Sequence, residues 1–108
     1  MRELPTWLLD QWAVGEADGT LPRHRAEERR NVTGSCYVRI DPKNQPILAH
    51  VFNINRTCSG IGLILRQKLE LGQLVTLLPP DGDGEAVKAT IEHCTQTVQG
   101  FKIGCSVV

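Results

Sequence analysis

The sequence predicts a mainly β, antiparallel fold, in which six short strands close into a barrel behind a short N-terminal helix. Two features of the 108 residues indicate it. From Val32 onward, short β-like runs are separated by turn residues, and no stretch keeps a helical period of useful length. Within these runs apolar and polar residues alternate, as in strands with one buried face. A closed barrel is favoured because it removes the exposed strand edges that a small β protein must otherwise protect.

The segment 4–14 is predicted to be a short helix. Its apolar residues, which include both tryptophans of the chain, fall on one helical stripe: Leu4, Trp7, Leu8, Leu9 and Trp12. Two roles for this stripe remain open. It can dock onto the rest of the protein, or Trp7 and Trp12 can form a partner-binding or dimerisation surface, since tryptophan is typical of interface anchors.

The stretch 15–22 is polar and contains Gly15, Gly19 and Pro22, so it is predicted to be an irregular, flexible linker. The arginine-rich segment that follows should share this flexibility. At this length the chain is expected to hold a single β-barrel domain, residues 23–108, preceded by the helix and linker of residues 1–22.

Strands are predicted near residues 35–40, 47–54, 62–65, 74–78, 86–95 and 101–107. Residues that favour turns lie between them, most densely in the Pro-Pro-Asp-Gly-Asp-Gly stretch at 79–84. In the fifth strand Val87, Ala89 and Ile91 form an apolar face, and simple alternation adds His93 to it.

Charge and aromatic content argue against a protein that binds a nucleic-acid polymer. Twelve Lys and Arg balance twelve Asp and Glu, so there is no global basic field to attract nucleic acid or an anionic membrane. The β region has few aromatic residues on which bases could stack, namely Tyr37, Phe52 and Phe101. No apolar run reaches the length of a transmembrane segment and no signal peptide is apparent, so a cytoplasmic location is expected.

No catalytic or metal site is predicted, and the protein is expected not to be an enzyme. The four cysteines form no CxxC pair and have no histidine at ligand spacing: Cys36, Cys58, Cys94 and Cys105. They are expected to be small buried hydrophobes. No Ser/His/Asp or Cys/His constellation is apparent, and turn formation explains Asp81 and Asp83.

Four of the twelve basic residues lie between positions 23 and 30: Arg23, Arg25, Arg29 and Arg30. Such a run is most often a solvated charged segment. However, Arg25 and Arg29 form an RxxxR pattern, and the planar guanidinium fork suits phosphates and the O6/N7 edge of guanine.

A second motif follows one predicted hairpin later. Asn55, Thr57 and Gly60 form N-x-T-x-x-G, which combines an amide, a hydroxyl and a permissive backbone in one turn. If the arginines formed only a solvated charged segment, a motif of this kind would not be expected nearby. The two motifs together indicate a site for an anion and a purine.

This pair of motifs resembles the RxxxR and [DN]xSxxG of PilZ domains, a family of bacterial cyclic di-GMP receptors. The final Gly-Phe-Lys-Ile-Gly-Cys-Ser-Val is also similar to their closing strand, so the resemblance extends over residues 23–107. It implies that Arg25 and Arg29 bind phosphates and guanine, with Arg23 and Arg30 as auxiliary contacts. Asn55 would bind guanine or the turn backbone, Thr57 would offer its hydroxyl, and Gly60 would allow close approach.

The sequence departs from the family pattern in the second motif. Thr57 stands where serine is usual, and its extra methyl is expected to lower the affinity modestly. Ser59 stands where many members have a second glycine, so the turn is expected to have less freedom. In the first motif Arg30 lies nearer the predicted first strand than Arg29 does. RxxxR spacing from Arg30 would require an arginine at Ala26, so Arg25 and Arg29 are the predicted pair.

The function that the resemblance implies is a non-enzymatic receptor without a cofactor. Binding of cyclic di-GMP would order the N-terminal arginine segment and pass the signal to a downstream protein partner. The alternative is a PilZ-type adaptor that does not bind nucleotide and acts through protein contacts, for example with Trp7 and Trp12.

Overall fold

The structure is a computed structural model that describes residues 3–17, 29–40, 42–43 and 45–108. Its elements are α1 (Thr6–Ala13), β1 (Glu16–Ala17), β2 (Arg29–Arg39), β3 (Ile47–Asn55), β4 (Gly60–Leu65), β5 (Leu74–Leu78), β6 (Val87–Thr97) and β7 (Gly100–Val107). The predicted N-terminal helix is confirmed. Within the described ranges, no helix is long and apolar enough to cross a membrane.

The seven strands of the described residues belong to one antiparallel sheet, in the order β1-β2-β3-β4-β7-β6-β5. β5 also pairs with β2, through Tyr37 opposite Leu78 and Arg39 opposite Thr76. The six longer strands therefore follow one another in a ring. The predicted mainly β fold with six antiparallel strands is confirmed, and each predicted strand is present.

The start of the first long strand was predicted wrongly. β2 begins at Arg29, six residues before the expected start at position 35, so Arg29 and Arg30 are strand residues and not part of a flexible segment. They pair with Asn55 and Ile54 of β3. A residue such as Gly34 is a poor strand former, and this part of β2 is set by its pairing with β3 more than by its own propensity.

The linker prediction fails at two residues. Glu16 and Ala17 form β1, which pairs with Asn31 and Arg30 of β2. Gly15 lies outside any helix or strand, and residues 18–22 of the predicted linker lie outside the described residues.

The hydrophobic core lies inside the ring and includes the helix. Leu8 of α1 and Leu4 just before it are buried with the inward side chains of the strands. Trp7 and Trp12 are half-buried and pack against the same cluster. Of the two roles left open for the apolar stripe of α1, docking onto the body is the one observed.

Candidate functional site

Neighbouring arginines in β2 have different surroundings, as strand alternation requires. The Arg30 guanidinium lies over the Trp12 ring, and its Nη1 donates to the backbone oxygens of Trp12 at 3.3 Å and Ala13 at 3.1 Å. Arg29 is half-buried and lines a groove on the outside of the sheet. The alternation therefore separates a helix-binding arginine from one that faces the candidate site.

This outer groove is a surface cavity of about 500 Å³ that crosses β2, β3, β4, β7 and β6. Three of the predicted site residues line it: Arg29, Asn55 and Gly60. Its volume is typical of small-molecule sites. Larger cavities of about 700 and 770 Å³ lie elsewhere, but neither is lined by any of these three residues.

Backbone pairing brings these residues together across the sheet. Arg29 is the direct partner of Asn55, Asn55 is the partner of Gly60, and Gly60 is the partner of Ser106. Adjacent strands are spaced by about 4.8 Å, so Arg29 and Gly60 lie within about 10 Å of each other along the sheet. The fold thus places Arg29 of the first motif, with Asn55 and Gly60 of the second, at one end of the groove.

Asn55 holds the turn that follows it. Its Oδ1 accepts hydrogen bonds from the backbone N–H of Thr57 at 3.0 Å and of Cys58 at 3.2 Å. Of the two roles that the resemblance implies for Asn55, binding of the turn backbone is the one seen. Among the described residues, no hydrogen bond uses the Asn55 amide nitrogen.

Ser59 and Gly60 have different roles in this turn. Ser59 has a φ of 55° and is only 1% exposed. This left-handed conformation is one that glycine adopts without penalty. Gly60 is already part of β4, and a Cβ there would approach the Cys58 Sγ to 3.3 Å. Gly60 therefore contributes space, whereas the tight turn depends on Ser59.

The remaining predicted residues lie elsewhere. Thr57 is exposed on the turn and is not among the residues that line the groove. Arg30 contacts α1, as described above. Arg23 and Arg25 lie outside the described residues, so Arg29 is the one member of the RxxxR pair whose position in the site is described.

Two further glycines form the floor of the outer groove. Gly62 of β4 and Gly104 of β7 are direct partners. A Cβ on Gly62 would come within 2.6 Å of the Phe52 ring, and one on Gly104 within 3.0 Å of the His93 ring. The rings of Phe52 and His93 thus lie against bare backbone. The Lys102 Nζ is 5.0 Å from the centroid of the Phe52 ring.

The groove carries charges of both signs. Arg29 and Lys102 supply cations, and Glu92 supplies a carboxylate whose Oε1 accepts a 2.8 Å hydrogen bond from the Ser106 hydroxyl. Such a surface can bind the phosphates of a ligand with its cations and the N–H donors of a base with its carboxylate. In the described part of the chain, no group of three or more His, Cys, Asp or Glu could hold a metal ion.

Sequence reasoning missed the far wall of the groove, formed by Glu92 and His93. His93 was predicted on the apolar face of its strand, but it is exposed because the pairing of β6 with β7 shifts register between Ile91 and His93. The isolated glycines within β4 and β7 were the available signal, since a strand glycine often marks a close approach or a bulge.

The expectation that all four cysteines are buried is wrong for Cys58 and is met only in part by Cys94. Cys36 and Cys105 are buried, and burial raises the pKa of each thiol to about 12, with smaller contributions to the Cys105 pKa from Cys36 and Glu92. Cys58 is instead exposed and lines the outer groove, whereas Cys94 is half-buried. All four are free thiols.

Comparison with models of known protein families gives no match to this chain, and no curated protein matches it significantly.

Proposed function

We propose that this protein is a bacterial, cytoplasmic receptor for cyclic di-GMP, with its ring of six strands forming a PilZ-type β-barrel. The ligand would lie in the outer groove, and the protein would act by binding and not by catalysis. The observation that carries the proposal is the convergence of Arg29, Asn55 and Gly60, from both sequence motifs, at one end of that groove.

The chemistry of these residues suits a cyclic dinucleotide. Arg29 presents a planar fork that can bind a phosphate or the O6/N7 edge of guanine. The Asn55 amide nitrogen can donate to a guanine acceptor while its oxygen stays engaged in the turn. Gly60 allows a flat base to approach the backbone, because it carries no Cβ.

The other residues predicted to contact the ligand have different roles in this proposal. Arg25, with Arg23 as an auxiliary, would complete the phosphate and guanine contacts from the N-terminal segment, and Thr57 would reach the ligand from the edge of the turn. Arg30 is assigned to α1, because its guanidinium already binds the end of that helix. The proposed output is the ordering of the N-terminal arginine segment against the sheet.

Isothermal titration with cyclic di-GMP tests the proposal, with GTP and cyclic di-AMP as competitors. We expect micromolar or tighter binding that Arg29→Ala weakens by about 5- to 100-fold, the range for losing a bidentate contact. Arg25→Ala should have a similar effect. Arg66→Ala is the matched control, because Arg66 is exposed and outside the outer groove. Equal affinity of the Arg29→Ala and Arg66→Ala proteins would contradict the proposed site.

The alternative is a PilZ-type adaptor that binds no nucleotide and uses Trp7 and Trp12 for protein contacts. Both side chains are engaged within the chain, since the Trp7 Nε1 donates to the Glu85 carbonyl at 2.7 Å and Trp12 packs under Arg30. These contacts weaken the alternative. Failure of the wild-type protein to bind cyclic di-GMP in the titration would favour it.

A further inference from the structure

We propose that Glu92 and His93, at the bulge of β6, form a second base subsite and select guanine over adenine. This inference rests on the proposed function and extends it to residues outside both sequence motifs. The subsite would lie on the side of the outer groove farthest from Arg29 and would bind the second base of the ligand there.

The bulge is what presents both residues to the groove. Ile91 pairs with Cys105 and His93 pairs with Gly104, so Glu92 is an additional residue opposite consecutive positions of β7. In a regular strand, Glu92 and His93 would point to opposite faces. Here both are exposed and both line the outer groove. Bulges of this kind commonly redirect a side chain toward a binding site.

Glu92 is held in a defined orientation by β7. Its Oε1 accepts the Ser106 hydroxyl at 2.8 Å, and Ser106 in turn pairs with Gly60 of the second motif. The second carboxylate oxygen, Oε2, remains able to accept further hydrogen bonds. The carboxylate is therefore held beside Ser106, the residue that pairs with Gly60 of the second motif.

A carboxylate at this position distinguishes the two purines by their hydrogen-bonding edges. Guanine presents two adjacent donors, N1–H and the 2-amino group, which match the acceptors of Glu92. Adenine presents an acceptor at N1, which would face the negative charge. A site built to accept hydrogen bonds from one base rejects a base that lacks the donors.

His93 supplies a surface on which that base can stack. Its imidazole lies against Gly104, where an added Cβ would come within 3.0 Å of the ring. The side chain is otherwise exposed to the groove. Histidine is among the side chains on which nucleobases stack in protein complexes. Stacking on His93 would bring the base edge next to Glu92.

The separation of the two walls favours a ligand with two bases. β2 and β6 are four strand spacings apart in the sheet order, about 19 Å along the curved surface at about 4.8 Å per strand. A single nucleotide bound at Arg29 would leave the β6 wall empty. A cyclic dinucleotide can place one guanine at each wall.

Titrations with three cyclic dinucleotides test this subsite: cyclic di-GMP, cyclic di-AMP and the mixed cyclic GMP-AMP. We expect Glu92→Gln to weaken cyclic di-GMP binding about tenfold. The same variant should reduce the difference in affinity between cyclic di-GMP and cyclic GMP-AMP. Glu70→Gln, an exposed glutamate outside the outer groove, is the matched control and should match wild type.

His93 provides a second, independent arm. His93→Ala should weaken binding of cyclic di-GMP about tenfold, and His93→Phe should restore most of it if stacking is the role of the ring. This pair keeps the test decisive if Glu92→Gln fails to fold, which circular dichroism would reveal.

The outcomes separate the two proposals. If wild type binds and Arg29→Ala weakens binding, but the Glu92 and His93 variants keep wild-type affinity and selectivity, the second subsite is overturned and the receptor function stands. If wild type binds none of the three dinucleotides, the receptor function is overturned and the subsite with it.

Discussion

The Arg30 guanidinium carbon lies 3.9 Å from the centroid of the Trp12 ring, and this contact joins the first long strand to the N-terminal helix. The same guanidinium donates to the carbonyls of Trp12 and Ala13, at the end of α1 where helix carbonyls lack intrahelical partners. The Arg56 guanidinium carbon is 5.2 Å from the same ring. Because Arg56 belongs to the turn of the second motif, Trp12 connects α1 to the candidate site.

Replacement of Arg30 should loosen the helix from the sheet. Arg30→Ala removes a cation–π contact and two charge-assisted hydrogen bonds, so we expect a loss of about 2 kcal/mol in the free energy of unfolding. Arg30→Lys keeps the charge but not the planar fork and should lose about 1 kcal/mol. Urea unfolding measures both. If Arg30→Lys is as stable as wild type, the stacked geometry has no energetic role.

Asn55 should contribute to stability without any ligand. Asn55→Ala removes the acceptor of two turn hydrogen bonds and should cost about 1–2 kcal/mol in thermal or urea unfolding. Asn55→Asp retains a side-chain oxygen at the same place and is the matched control, expected to stay close to wild type. Equal stability of the alanine and aspartate variants would contradict the role of Asn55 in the turn.

Ser59 should tolerate glycine and reject a β-branched residue. At a φ of 55°, Ser59→Val places a branched Cβ in the left-handed region within a buried turn and should destabilise the protein by about 2 kcal/mol. Ser59→Gly relieves the backbone but removes a buried hydroxyl, so its net effect should stay within about 1 kcal/mol. Denaturant midpoints of the two variants provide the comparison, and a valine variant as stable as the glycine variant would refute the turn geometry.

The thiols should differ sharply in reactivity. Cys58 is exposed, whereas Cys36 and Cys105 are buried with the pKa of each raised to about 12. At pH 8 a disulfide reagent should label Cys58 rapidly in the folded protein and label the two buried thiols only after unfolding. Because Cys58 lines the outer groove, cyclic di-GMP should slow its labelling. A Cys58→Ser variant identifies the fast phase, and an unchanged rate at saturating ligand would place the ligand elsewhere.

The same pKa shifts predict weaker stability in alkali. In the unfolded chain these thiols titrate near their ordinary pKa of 9.0, but in the fold they stay protonated up to about pH 12. Between these values the unfolded state binds fewer protons, so the free energy of unfolding should fall as pH rises. Urea unfolding at pH 8 and pH 10.5 measures the fall. Cys36→Ala should show a smaller fall than wild type, and an equal fall would assign the effect to other groups.

Sequence alone could predict the strands and one half of the candidate site. Alternation located all six long strands, and the N-x-T-x-x-G spacing identified Asn55 and Gly60, because short-range patterns determine both. The RxxxR spacing also favoured Arg29 over Arg30. Its physical basis, that the two side chains leave β2 on different faces, became visible only from the pairing with β3.

The far wall of the groove was not predicted because it depends on a bulge, to which the strand glycines were the only pointer identified. One extra residue in β6 shifts every later side chain to the other face, and nothing in the local sequence around Glu92 specifies where that shift occurs. His93 was assigned to the apolar face for this reason. The early start of β2 has a similar origin, since pairing with β3 extends a strand across Gly34.

The most direct measurement is the chemical-shift perturbation of backbone amides on addition of cyclic di-GMP to the ¹⁵N-labelled protein. With cyclic di-GMP in the proposed site, we expect the largest perturbations at Arg29, Gly60 and Gly104, which line the outer groove, and little change at Leu74 of β5. An absence of perturbation, or perturbation confined to the cavity around Trp7 and Asp81, would contradict it.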